Sequence, residues 1–479
     1  MKLKHCLAAS LLSLLPALAP AALAAPAPTT RICHLPGAEE GLRCSTLAVP
    51  LDYQQASGPT LPLHITVAPA FRESARHDPV FVLAGGPGQA GSDVLPVLHA
   101  VFRRVRATRD IILIDQRGTG LSGKLDCDEK EFSDDLSDEQ QIAAVRRCLA
   151  GIRAPLAAYT TDNAARDIEQ VRLALGYKTI NVWGASYGTR LAQAYARAFP
   201  AAVRSLVLDG VAAPDQIIPA GGRDGQAALD TLFRQCAADP ACQQAYPALR
   251  TEFASLLSKI GEHPVPLNLA NPRTAEPLQM SMTKERFLGT VHNVLYSALD
   301  GRRLPFLIHS AWQGRWAPFV ARRNVGADLA GEGGVALVLH MAVICAEDYP
   351  RLTPQLLAED AHNSFLGGSR VGQLMEQCKS LKLPAVPWRA PTPILAPALL
   401  LSGALDPVTP PRRAEAAARH IPKAQHLVVA NAGHGISSLG CAPRLLREFL
   451  DNPARPVSAA CLKEIPAANF QIGSAGPHP

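Results

Sequence analysis

The sequence predicts an α/β protein, with a mostly parallel central sheet flanked by helices and a large, mainly helical cap inserted after the sixth strand. Three observations predict it. Short continuous apolar runs such as Pro79–Ala84 and Asp110–Asp115 alternate with helical periodicity up to Asp209, the rhythm of strand–helix–strand units whose strands are buried on both faces. That rhythm stops over residues 212–389 and resumes with Pro391–Leu401. Between a β-rich run, Thr179–Trp183, and a helical pattern through Phe199 lies Gly184-Ala185-Ser186-Tyr187-Gly188. Its glycines leave room for a tight strand-to-helix turn that lifts the Ser186 hydroxyl clear of the sheet and aims the first helical N–H groups at a ligand.

At 479 residues the chain can bury a large core, as one domain with an insertion or as two domains. With 48% hydrophobic and 18% charged residues it is neither disordered nor fibrous. A net charge of +6, arginines spread without a basic run and no Cys/His finger spacing give nucleic-acid binding little basis. Met1–Ala24 reads as a secretory leader. Lys2, Lys4 and His5 form its basic start, Leu7–Leu18 its apolar centre, and Ala22-Leu23-Ala24 a small-x-small cleavage site. The apolar part is shorter than the ~20 residues of a membrane span and contains Pro16 and Pro20. Export to the periplasm or beyond is expected, with no stable membrane insertion after cleavage. The expected organisation is a leader at 1–24, a catalytic domain at 25–211 and 390–479, and a cap at 212–389.

Of 11 cysteines, Cys6 leaves with the leader. The remainder, an even number in an exported chain, predicts disulfides. Pairing by nearness in sequence gives Cys33–Cys44, Cys127–Cys148, Cys236–Cys242, Cys345–Cys378 and Cys441–Cys461, among the many connectivities such a set allows. No Cys-x-x-Cys or His-Glu-x-x-His run occurs and the cysteines do not cluster, so no metal or organic cofactor is implied.

In chain order, residues 44–52 and 61–68 read as two strands joined by a turn near Ala56–Pro59. Strand 79–84 ends in Gly85-Gly86-Pro87-Gly88-Gln89-Ala90-Gly91, which has neither the Lys-Ser/Thr ending of a phosphate loop nor Gly-x-Gly-x-x-Gly spacing. Its backbone N–H groups suit an oxyanion. Strand 110–115 leads into Gln116-Arg117-Gly118, and Asp115 and Arg117 are expected to form a buried ion pair that shapes these loops. Acidic residues crowd 126–139, a solvated excursion between Cys127 and Cys148. Thr161-Asp162-Asn163 caps a helix with Ala164, Ile168, Val171 and Leu175 on its apolar face, ended by Gly176.

After the serine, Val203–Asp209 is another buried strand. Helical patterns at 227–236, 249–260, 284–299, 304–312, 335–344 and 354–365 then fill the insertion, which reads as a lid over the sheet edge. The sheet resumes near Ala398–Leu401, followed by Gly403-Ala404-Leu405-Asp406-Pro407-Val408-Thr409-Pro410. Gln425–Val429 is the last strand, with Asn431-Ala432-Gly433-His434-Gly435 after it and a short helix at Arg444–Leu450. Flanking glycines leave His434 no apolar face, which argues against a core histidine.

Ser186, Asp406 and His434 thus follow strands in the order Ser…Asp…His, the order of α/β-hydrolases. A serine hydroxyl is a weak nucleophile until a neutral imidazole takes its proton. His434 suits that role and Asp406 that of orienting the ring. The backbone N–H groups of Tyr187 and Gly86 suit the oxyanion. An enzyme of this type cleaves amides or carboxylic esters; an exported binding protein that has lost turnover is the remaining alternative.

Taken together, Gly85-Gly86-Pro87-Gly88, Asp115-Gln116-Arg117-Gly118-Thr119-Gly120-Leu121-Ser122, Gly184-Ala185-Ser186-Tyr187-Gly188-Thr189, the segment Gly403–Pro410 and Gly433-His434-Gly435 resemble the proline iminopeptidase family. Within it they are most similar to the secreted, tripeptidyl aminopeptidase-like branch. The resemblance covers the chain from about Cys33 to Cys461. It implies serine exopeptidase action on peptide or aminoacyl substrates with a free N-terminus, an oxyanion role for the glycine loop and a helical cap. It also implies carboxylates in the cap that pair with the substrate ammonium, for which Ile344-Cys345-Ala346-Glu347-Asp348 offers Glu347 first and Asp348 second. Ala84 stands where many proline iminopeptidases carry a histidine, which weakens strict proline specificity and leaves the triad untouched.

Overall fold

The computed structural model describes residues 28–55, 57–72, 75–128, 132, 136–272, 274–323, 334–362 and 364–477. The leader read at Met1–Ala24 and part of the acidic stretch 126–139 lie outside them. Continuous apolar runs become central strands because both of their faces are covered. In β4 (Val80–Leu83) every residue is buried, Val80 and Val82 in the core on one side of the sheet and Phe81 and Leu83 in the core on the other. β5 (Ile111–Ile114) divides in the same way, Ile111 and Leu113 against Ile112 and Ile114. That is the period-2 geometry of a strand between two layers of helix. Truncating Phe81 to Ala would cost about 3–5 kcal/mol, as for other large core side chains.

With β1 (Arg31–Cys33), β2 (Leu42–Pro50), β3 (Thr60–Ala68), β6 (Ile180–Ala185), β7 (Val203–Asp209), β10 (Ala398–Gly403) and β11 (Ala424–Val429), these strands form one nine-stranded sheet. Its order is β1-β2-β3-β5-β4-β6-β7-β10-β11. The pairs β1–β2, β2–β3 and β3–β5 are antiparallel, and every pair from β5 to β11 is parallel. The cap leaves after Val203–Asp209, the strand expected. It is the seventh in chain order because three-residue β1, too short to show a pattern, precedes the others.

Helices α1 (Leu98–Phe102), α2 (Asp138–Gly151), α3 (Thr161–Ala174) and α4 (Tyr187–Ala198) belong to the sheet domain. α3 starts one residue earlier than the sequence implied, since the Thr160 side chain accepts from the Asn163 N–H. The cap has a core of its own, in which Phe253, Phe287 and Phe319 pack and the last two stack at 4.8 Å. It is mainly helical, as expected, but it also holds an antiparallel hairpin of β8 (Val265–Ala270) and β9 (Pro277–Met282). Pro266 and Pro277 obscured it, because proline fits only an edge or the first residue of a strand. A helix at Ser369–Leu381 was missed as well.

The disulfides are Cys33–Cys44, Cys127–Cys148, Cys236–Cys242, Cys345–Cys378 and Cys441–Cys461, the neighbours in sequence. Such bonds persist in oxidising compartments. Among the described residues no helix is long and apolar enough to cross a membrane.

Candidate active site

At the carboxyl end of β6 the chain turns through Ser186 at φ 54°, ψ −124° and enters α4. A non-glycine residue in that region costs about 1–3 kcal/mol and persists only when its surroundings hold it. Here the Ser186 N–H donates to the Asp209 carbonyl at 2.9 Å, and the Ser186 carbonyl accepts from the Thr189 N–H at 2.9 Å and its hydroxyl at 2.6 Å. Gly188 permits the tight crossing: a Cβ there would lie 2.1 Å from the Leu83 carbonyl oxygen. Tyr187 is the first residue of α4, so its N–H has no partner within the helix.

His434 follows β11, and its Nδ1 lies 2.8 Å from Asp406 Oδ2. Asp406 follows β10 and is fully engaged. Its Oδ1 accepts from the N–H groups of Val408 and Thr409, both at 2.8 Å, and Oδ2 accepts the Thr409 hydroxyl at 2.7 Å. Burial alone would raise the Asp406 carboxyl, but the charge of His434 and these hydrogen bonds outweigh it and hold it below the ordinary value. Burial likewise pulls His434 down, and Asp406 more than offsets this, holding the imidazole above its ordinary 6.5.

Asp209, the other strand-end carboxylate, is committed elsewhere. It accepts the N–H groups of Ile436 (2.8 and 3.0 Å) and Ser437 (2.7 Å). One residue therefore ties the serine turn, through its carbonyl, to the histidine loop, through its carboxylate. Gly210 lies beneath the ring: a Cβ there would sit 3.0 Å from His434 Cε1. From the cap, the Tyr296 ring packs edge-on against that of His434 at 5.2 Å, and the Tyr296 carbonyl accepts the His434 backbone N–H at 2.7 Å. The roles of Asp209 and Tyr296 carried no sequence signal, since both depend on contacts between distant segments.

The loop Gly85–Gly91 is strapped to the cap. Ala336 N–H donates to the Gly88 carbonyl at 3.0 Å, and His340 Nδ1 lies 3.0 Å from the Pro87 carbonyl. Gly86 sits within this strapped turn. Asp115 and Arg117 do not pair with each other. Asp115 accepts the N–H groups of Ser92 and Leu121, both at 2.8 Å, so it does shape the loops. Arg117 instead crosses to α3 and grips Asp167 at 2.6 and 2.7 Å. The sequence offered no hint of Asp167, because a helix-interior carboxylate usually reads as a solvated face.

Glu347 and Asp348 lie in a π-helical turn, Ile344–Asp348, and both are buried. Glu347 accepts the Thr161 N–H at 2.6 Å and the Thr161 hydroxyl at 2.7 Å, with Arg190 at 3.6 Å. Burial pushes its carboxyl up, against the pull of Arg190 and Thr161. Asp348 holds Arg190 in three contacts of 3.0–3.1 Å. Arg190 is thus the counter-ion of Asp348, as a fully buried carboxylate requires. Arg190, one turn beyond Ser186, was the signal available for this. Thr161 also reaches the Tyr187 hydroxyl at 2.8 Å. Among the described residues no cluster of three His, Cys, Asp or Glu side chains is placed to hold a metal ion.

A strained serine turn after β6, a histidine–carboxylate pair after β11 and β10, and a glycine loop after β4 all follow the carboxyl ends of strands in the parallel part of the sheet. The family model described as the alpha/beta hydrolase fold matches residues 78–440. The chain belongs to the alpha/beta hydrolase family. It is 27% identical over 410 residues to the serine protease Hip1 of Mycobacterium tuberculosis, covering 77% of each chain. It is 30% identical over 194 residues to the tripeptidyl aminopeptidase of Streptomyces coelicolor, covering 36% of each. A probable proline iminopeptidase of the same organism is 34% identical over 137 residues, covering 28% of this chain and 33% of that one. The protein is a serine-hydrolase-fold enzyme with peptidase relatives.

Proposed function

We propose that this hydrolase is a serine aminopeptidase that releases N-terminal residues or short peptides from substrates with a free amino terminus. The observation that carries the reading is the 2.8 Å contact of His434 with Asp406, together with a serine held in a strained turn that Asp209 ties to the histidine loop. Ser186 Oγ attacks the carbonyl carbon of the substrate. Its proton passes to His434 Nε2, while Asp406 fixes the proton on Nδ1 and stabilises the imidazolium. The tetrahedral oxyanion accepts from the Tyr187 and Gly86 N–H groups; losing one such donor typically costs about 3 kcal/mol of transition-state stabilisation. His434 then protonates the departing amine, and water repeats the sequence on the acyl-enzyme.

The exopeptidase part rests on the resemblance to aminopeptidases and on a cap that covers the strand ends. The leader-like start and the disulfides favour an exported protein. A carboxylic-ester hydrolase would use identical machinery, so the amine decides between them. In a lidded pocket a charged N-terminus must be matched, and an N-acetyl substrate leaves the matching group desolvated and unpaired. Matched arylamides, free and N-acetylated, should therefore differ by about 10²-fold or more in kcat/KM, near 3 kcal/mol. Equal rates on the two would remove the aminopeptidase reading in favour of the esterase. Fluorophosphonate labelling that is strong in the wild type and absent in Ser186→Ala would identify the nucleophile, and a folded but unlabelled wild type would leave a binding protein.

A further inference from the structure

A cavity of about 640 Å³ lies between α3, α4 and the segment 386–392 that leads from the cap back to β10. None of Ser186, Asp406, His434 and the glycine loop lines it. Its size is within the range of small-molecule sites. We propose that it is a second binding site, separate from the serine, for a small organic anion with a carboxylate or phosphate on an apolar body.

The charges around it favour an anion. Arg166, Arg190, Arg197 and Arg389 line the cavity, against Asp162 and Glu347. Glu347 is already taken up by Thr161, and Arg190 by Asp348. Arg197, in the last turn of α4, donates from Nε to the Thr392 carbonyl at 2.9 Å. Its Nη2 is buried without a hydrogen-bond partner, and an unpaired buried donor is costly. Burial pulls the Arg197 guanidinium down to about 10, an environment in which an added negative charge is favourable. Arg389 lines the same space from the segment 386–392, and among the described residues neither arginine has a carboxylate at ion-pair distance. A planar guanidinium matches carboxylate and phosphate oxygens in pairs.

The remaining wall is apolar and preformed. Ala165, Ala194, Pro387 and Trp388 contribute to it, and Trp388 is 50% exposed. The roof is pinned at both ends, by Val386 N–H to the Ala346 carbonyl at 2.8 Å and by Thr392 to Arg197. Arg351 lies over the Trp388 ring at 5.5 Å. A ligand would therefore meet a fixed slot lined by arginines, with Trp388 in its wall.

The test is calorimetric titration of the mature protein with phenylacetate, phenyl phosphate and inorganic phosphate, in the wild type, Arg389→Glu and Arg197→Gln. At least one aryl anion should bind the wild type, more tightly than inorganic phosphate. Arg389→Glu, at an exposed position that does not threaten the fold, should weaken it about tenfold or more, the scale of one charge-assisted hydrogen bond. Arg197→Gln should act in the same direction. The better of the two aryl anions tells a carboxylate ligand from a phosphate ester. Absence of binding to the wild type by both aryl anions would overturn the proposal, as would affinities unchanged in both variants.

Discussion

Asp406→Asn replaces one oxygen by an NH₂ where the hydrogen-bond accounting is tightest. The N–H groups of Val408 and Thr409, both at 2.8 Å, will keep the amide oxygen at the Oδ1 position. The NH₂ must then occupy the Oδ2 position, facing the Thr409 hydroxyl at 2.7 Å and His434 Nδ1 at 2.8 Å. A donor facing Nδ1 forces the ring proton onto Nε2, the tautomer unable to take the serine proton. Loss of the carboxylate also removes the charge that stabilises the imidazolium. The expected fall in kcat is about 10⁴-fold, or roughly 5 kcal/mol, with little change in fold because both backbone donors keep their acceptor. The assay is kcat and KM on a free-amine arylamide across pH, with circular dichroism as the control for folding. In the wild type, kcat/KM should fall as pH drops through the His434 pKa, since the protonated ring accepts nothing, and that limb should lie above the ordinary 6.5. Retention of more than about a tenth of kcat by folded Asp406→Asn would refute this reasoning, and so would the same loss in Asp209→Asn with Asp406→Asn active.

Thr409→Val keeps the shape but removes the hydroxyl between Asp406 and His434. It should lower kcat about tenfold with KM nearly unchanged, the scale of one hydrogen bond to a charged group; unaltered kcat would make Thr409 a bystander. Glu347→Gln should cut kcat/KM on free-amine arylamides while sparing p-nitrophenyl acetate if Glu347 pairs with the ammonium; equal effects on both would assign it to the Thr161–Arg190 network instead. Cys345→Ser with Cys378→Ser opens a loop with a sequence separation of 33, which chain entropy values at about 4 kcal/mol. Denaturant unfolding reads that loss, and an unchanged midpoint would contradict it. Arg190→Met leaves the buried Asp348 with only Arg351, at 3.7 Å, as a counter-ion and should destabilise by about 3 kcal/mol, whereas adding Asp348→Leu should recover much of it. No recovery in the double variant would mean that the pair does more than neutralise itself.

Much of this was legible in the sequence because it is written in local patterns. Short apolar runs rich in Val and Ile and bounded by turn residues suit central strands, so Val80–Leu83 and Ile111–Ile114 announced a covered parallel sheet. The positions of Ser186, Asp406 and His434 directly after such runs followed from chain order alone. Pairing cysteines by nearness worked because every bridge closes a short stretch, the longest with a separation of 33. What the sequence left open are pairings between segments that meet only once the sheet is built. Arg117 found Asp167 across 50 positions and Arg190 found Asp348 across 158. Tyr296 came down from the cap onto His434, and Asp209 joined the serine turn to the histidine loop. A charged or polar side chain carries no local sign of its partner, since burial, and with it the need for that partner, exists only in the folded chain. For the same reason Glu347 and Asp348 are legible in sequence only as two cap carboxylates that the resemblance offers to a substrate ammonium, and only tertiary packing set Thr161 and Arg190 against them.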